Sequence, residues 1–167
     1  MIWIDELTEF FSGRDKTVIL GVGNIQKGDD AAGALCAEAL IKKFGNTILG
    51  NIKIINGAET PENFTGEIRR FKPSHVLIID TVIADQKPGS IFIVDQQRID
   101  NTDVSTHRMS LFMLCRFLEE SIGCRVLIIG IEPKKVDFDT VLSENVQNSI
   151  GSLVDFISNF LKPTVNN

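Results

Sequence analysis

Basic charge is in short supply: 17 lysines and arginines stand against 22 aspartates and glutamates, giving a formal net charge of −5 and a pI near 5.0. Nucleic acid and anionic membranes both recruit a basic footprint, so neither is expected as a main partner. Small molecules, metal ions and proteins remain. Cysteine is scarce too. Cys36, Cys115 and Cys124 are odd in number, lack C-x-x-C spacing and sit among apolar residues, which argues against a disulfide framework and predicts buried thiols in a reducing cytoplasm. No apolar run is long enough to span a bilayer. The opening MIWIDELTEFFSGRDK is a short amphipathic stretch with acidic residues, unlike an export signal, so a cytoplasmic protein without membrane insertion is expected. Repeats, low-complexity tracts and Pro/Gly-rich linkers are missing as well, so 1–167 reads as one domain whose tail, 162–167, frays.

Several nucleotide and nucleophile motifs are also missing. The stretch GVGNIQKGDDAAG, residues 21–33, starts like a dinucleotide fingerprint, but Gln26 stands where the third glycine belongs and Gly28 comes two residues late. No G-K-[ST] follows it, and no G-x-S-x-G elbow occurs anywhere. The glycines are better explained by a tight turn and close backbone approach that deliver Asn24, Asp29 and Asp30.

What is present is an alternation of short β-branched runs with longer helical patterns, the signature of an α/β fold around a largely parallel sheet. Strands are expected at 17–22, 52–55, 76–80, 90–94 and 125–129, and helices at 31–44, 109–122 and about 143–161. A short helix is expected within 61–71, begun by Pro61. Phe112, Leu114, Phe117 and Leu118 are expected on or near one face of the second long helix. Val146, Ile150, Leu153, Ile157 and Leu161 form a stripe on the third.

In open α/β sheets ligands bind beyond the carboxyl ends of the strands. That rule selects the loop 23–30, the loop 56–63, Asp80 at the end of HVLIID, and His107 beside the start of a helix. Asp29 or Asp30 can cap the helix that starts near Ala31, but a cap explains only one of two carboxylates. The other falls in the first turn, where the dipole favours its ionised form. Asp80 ends an apolar strand, where a carboxylate is costly without a partner; a cap on the following turn is the structural alternative. His107, one of two histidines, would be held neutral in a helix's first turn, which suits a metal ligand; an exposed loop histidine is its structural alternative. His75 stands at the amino end of its strand and reads as structural.

Taken together, G-x-G-N-x-x-x-G-D-D-x-x-G at 21–33, G-x-x-x-P-E-N at 57–63, the strand ending in Asp80, Pro88-Gly89 and Thr106-His107 resemble the hydrogenase maturation endopeptidases. GIEPKKVDF, residues 130–138, resembles the branch serving formate-hydrogenlyase-type [NiFe] hydrogenases. Ala31 departs from a common glycine, and residues 1–15 form an extra segment before the first strand. The resemblance implies a three-layer sandwich with a five-stranded, twisted, mostly parallel sheet between helices. It also implies an endopeptidase that removes the C-terminal extension of a [NiFe] hydrogenase large-subunit precursor after nickel insertion. Asp30, Asp80 and His107 would then contact nickel carried by the substrate, with Asp30 and Asp80 also catalytic. Two alternatives stay open. One is a nickel-binding maturation chaperone that uses the same ligands without cleavage. The other is a peptidyl-tRNA-hydrolase-like enzyme, which the acidic balance opposes.

Overall fold

A computed structural model describes residues 2–48, 50–98 and 106–162. The chain runs α1 (Ile2–Ser12), β1 (Thr17–Val22), α2 (Ala32–Phe44), β2 (Thr47–Ile48), β3 (Ile52–Ala58), α3 (Thr65–Phe71), β4 (His75–Thr81), β5 (Ile91–Ile93), α4 (Thr106–Ile122), β6 (Arg125–Ile131) and α5 (Glu144–Leu161). The five expected strands are all present, and the two-residue β2 adds a sixth along one edge.

The strand order is β2-β3-β1-β4-β6-β5. The four central strands, β3, β1, β4 and β6, are parallel, whereas β2 and β5 pair antiparallel at the two edges. β1 is buried along its whole length and β4 at all but its last residue. This follows from their sequences, near-continuous β-branched and leucine runs that suit a strand covered on both faces.

Two apolar clusters flank the sheet. On one face α1, α2 and α5 cover Ile19, Ile54, Leu77 and Ile129; on the other α3 and α4 cover Leu20, Ile55, Ile78 and Ile128. Alternate residues of each strand thus feed opposite cores, as a three-layer sandwich requires. The N-terminal segment is part of the first core: Trp3, Leu7, Phe10 and Phe11 of α1 are buried, and Phe11 stacks on Phe160 of α5.

Helix α4 departs in detail from its expected face. Leu111, Leu114 and Leu118, with Cys115, point inward at helical spacing, while Phe117 is partly exposed and Phe112 half-buried. The stripe lies one residue away from the aromatic pair because the leucines, not the phenylalanines, repeat at the helical period. The α5 stripe lies as expected, with Ile150 at its half-buried margin. Of the tail expected to fray, residues 163–167 lie outside the described residues.

Candidate active site

The carboxyl ends of β1 and β4 are closed by a packing that only glycine permits. A Cβ on Gly33 would lie 2.1 Å from the Ile79 carbonyl oxygen and 2.2 Å from that of Val22, and one on Gly21 would lie 2.1 Å from the Gly33 carbonyl oxygen. Helix α2 therefore starts with its backbone pressed into the end of the sheet. Before it, Gly28 takes a positive φ of 53° and opens a short 3-10 turn, Gly28–Ala31, that holds both aspartates. The motif's glycines thus serve backbone approach and a turn, as the sequence indicated.

The two neighbouring carboxylates have separate fates. Neither occupies the cap position of α2, which is Ala31. Asp29 instead reaches across to the connection between β6 and α5. Its Oδ2 accepts hydrogen bonds from the Lys134 amide at 2.7 Å, the Lys135 amide at 3.0 Å and the Ser143 hydroxyl at 2.9 Å, and its Oδ1 accepts the Ser143 amide at 2.7 Å. Ser143 is the cap residue of α5, so Asp29 also sits at the positive end of that helix. Burial raises its pKa, but the amides of Ser143, Lys134 and Lys135 and the Ser143 hydroxyl outweigh that and hold it below the usual carboxylate value. Asp29 is a staple between loops, spent on structure.

Asp30, half-buried, stays on the site side of the turn, where its Oδ2 accepts the Asn24 amide at 3.3 Å. Asn24 is itself fixed: its side-chain amide donates to Glu59 at 2.7 Å and its Oδ1 accepts the Gln26 amide at 2.8 Å. The loop after β1 is thereby tied to the loop after β3, which carries the Pro61-Glu62-Asn63 motif.

Asp80, 8% exposed, is the penultimate residue of β4 and accepts the Thr81 amide at 2.8 Å. The Thr81 hydroxyl donates to the Asp29 carbonyl at 2.8 Å, so the end of β4 and the aspartate turn are joined directly. Asp80 also lines a cavity of about 780 Å³ together with Val82, Ile83, the strand β5 and Leu111 of α4.

His107 is the second residue of α4, and its side chain lies outside the described residues. Its backbone position is nevertheless informative. α4 ends at Ile122, just before β6 begins, so the helix runs back along the sheet and its first turn lies toward the carboxyl ends of the strands. Leu111, one turn beyond His107, shares the cavity with Asp80. Asp30, Asp80 and the start of α4 therefore meet at one end of the fold. Among the described residues, no group of three or more His, Cys, Asp or Glu side chains is gathered closely enough to hold a metal ion.

The model of the hydrogenase maturation protease family HycI matches residues 34–159. The chain belongs to that family. The hydrogenase 3 maturation protease of Escherichia coli K12 is 36% identical over 134 residues, covering 80% of this chain and 83% of the relative. The crystal structure of a [NiFe] hydrogenase maturation protease HycI from Thermococcus kodakarensis superposes with a TM-score of 0.83 at 30% identity, over 93% of this chain and 98% of that one. The solution structure of the Escherichia coli endopeptidase HycI gives a TM-score of 0.72 at 33% identity, over 84% and 87%. The family match begins just after Gly33, so it includes Asp80 and His107 but not Asp30, whose placement rests on the local geometry above.

Two features escaped the sequence reading. Glu132, 5% exposed at the end of β6, accepts the Ala84 amide at 2.8 Å and so fixes the connection that walls the cavity. The strand-end rule that found Asp80 would have found it too. The reach of Asp29 to residues more than a hundred positions away had no local signal. His75 and the cysteines lie where the sequence indicated. His75 is packed edge-on against Phe10 and bonded through Nδ1 to the Ser74 hydroxyl at 2.8 Å, a structural role as expected. All three cysteines are buried, and burial pushes the Cys36 and Cys115 thiols up to about 12, which removes them as nucleophiles.

Proposed function

We propose that this chain is the endopeptidase that removes the C-terminal extension of a [NiFe] hydrogenase large-subunit precursor once nickel is in place. Asp30, Asp80 and His107 contact the nickel, which arrives as part of the substrate. The single observation that supports this best is that Asp80, joined to the aspartate turn through Thr81, lines a cavity with Leu111 of α4 in a chain of the hydrogenase maturation protease family.

The chemistry follows from the donor set. Two carboxylates and an imidazole offer hard and borderline ligands but no thiolate, so they hold a late first-row ion weakly and leave coordination positions to the precursor. Nickel bound to the substrate then reports that the precursor is loaded and polarises the scissile carbonyl or the attacking water. That water must lose a proton as it attacks, and the carboxylates of Asp30 and Asp80 are the groups at hand to accept it.

The deciding experiment incubates the purified protein with nickel-loaded precursor and, separately, with nickel-free precursor plus chelator, and follows the precursor's mass. Shortening of the loaded form alone is expected, with substoichiometric nickel in the protein as isolated. Binding of the loaded precursor without shortening would make the chain a maturation chaperone and overturn the reading. Efficient cleavage of the nickel-free form would remove nickel from the mechanism.

A further inference from the structure

The cavity beside Asp80 has an unusual relation to β5. Ile91, Phe92, Ile93 and Val94 all line it, although successive residues of a strand point to opposite faces. The cavity therefore follows the outer edge of β5 and does not cover one face of it. The hydrogen-bond pattern shows what that edge offers. The Ser90 carbonyl accepts the Glu132 amide at 2.9 Å and the Val94 amide donates to the Ile128 carbonyl at 2.9 Å, while Phe92 pairs with Gly130. In an antiparallel ladder these alternate residues face the partner strand, so Ile91 and Ile93 turn their amides and carbonyls outward. No partner for those four groups occurs among the described residues. Exposed apolar side chains stand at the rim, Ile83 at 54% and Ile2, at the start of α1, at 80%, beside the polar Gln86 and Asp95.

We infer that β5 is the docking strand for the substrate: the C-terminal extension of the precursor adds to its edge as a further β-strand and then turns across the sheet end to Asp80. This rests on the protease reading above. An extended peptide is the ligand whose donors and acceptors repeat every second residue, about 7 Å, which is the spacing between Ile91 and Ile93. The sheet also sets the reach. Asp80, Gly130 and Phe92 lie in one row across β4, β6 and β5. A strand added outside β5 lies three strand spacings from Asp80, roughly 14 Å, which an extended chain covers in about four residues. The segment that pairs with β5 is therefore about four residues from the bond that is cut, and alternate side chains of that segment meet the apolar walls around Ile83 and Leu111.

The test measures hydrogen exchange at the Ile91 and Ile93 amides by NMR, with the protein alone, with nickel-loaded precursor and with mature large subunit lacking the extension. Protection of both amides by about tenfold or more is expected only with the precursor. In parallel, Ile93→Pro removes one outward donor while leaving the pairing to β6 intact, and is expected to raise KM for loaded precursor about tenfold, the value of one lost hydrogen bond. Shortening of the precursor by the wild-type protein with no protection at Ile91 and Ile93 overturns strand addition and leaves the protease reading standing. Equal protection by mature subunit, or protection in the isolated protein through pairing of two β5 edges in a dimer, also overturns it. No shortening by wild type overturns the protease reading and this inference with it. Should Ile93→Pro fail to fold, the exchange measurement on wild-type protein decides alone.

Discussion

The two ends of the sheet solve opposite problems. At the amino end, β4 begins with His75 against Phe10, and α1 closes the core with Leu7, Phe10 and Phe11. Apolar burial suffices there because the polar groups are few and local: His75 bonds to its neighbour Ser74, whose hydroxyl also donates to the Lys16 carbonyl. At the carboxyl end, the loops after β1, β3 and β6 converge, and their exposed backbone groups need partners. Asp29 supplies four acceptor contacts to one of those loops, Asn24 and Glu59 join two others, and Glu132 holds the wall of the cavity. One end is held by apolar packing, which leaves nothing to titrate into a reaction. The other is held by polar staples beside Asp30 and Asp80.

Substitutions should separate the two ends cleanly. The largest effect is expected from Asp80→Asn, which keeps size and folding but removes the charge that the proposed nickel contact and proton transfer require; cleavage of loaded precursor, followed by mass, should fall by about 10²–10⁴-fold with little change in melting temperature. Asp30→Asn should fall on the same side, losing activity more than stability. A large loss of stability in either would place that carboxylate among the staples.

Phe10→Ala should do the reverse at the far end, costing about 3–5 kcal/mol in a urea titration while folded protein at low temperature still cleaves. Asp29→Asn tests the staple itself. Its amide group would face donors in place of an acceptor oxygen, so a loss of about 2–4 kcal/mol is expected. The pH dependence gives a sign to check. Asp29 titrates below its ordinary value of 3.8 in the folded chain, so the unfolded state binds more protons on acidification. Its stabilisation is complete above that value and is lost as pH falls through the lower folded one. Wild type should therefore weaken more steeply than Asp29→Asn below about pH 4.

The smallest effect belongs to His75. Burial lowers its pKa, with the charges of Arg125 and Arg14 adding to the shift. The folded state resists protonation, so stability present above 6.5 declines as pH falls through the depressed folded value. A His75→Gln variant should flatten that shallow slope in thermal melts taken between pH 7 and 5, and leave cleavage of precursor at pH 7 unchanged.

Much of this was open to inspection in the sequence because it is written locally. A strand such as HVLIID announces its own burial and its own end, and the rule that ligands gather beyond strand ends then singles out Asp80. Helical period gave α5 its stripe, and the glycine spacing of 21–33 gave the turn. On α4 the expected Leu114 and Leu118 face the core, whereas Phe112 and Phe117 flank the leucine repeat.

The sequence by itself determined the alternation of strands and helices, the acidic balance, the burial of the cysteines and the end of the sheet at which the candidate residues stand. Tertiary structure alone decided which of two adjacent aspartates is structural, because the amides that fix Asp29 come from residues 134, 135 and 143. It alone decided that α1 closes a core and that β5 is an antiparallel edge with outward-facing Ile91 and Ile93. The physical reason is common to all three. Periodicity and turn chemistry act over a few residues, whereas hydrogen-bond partners and strand neighbours are chosen by where the chain returns after tens of residues or more.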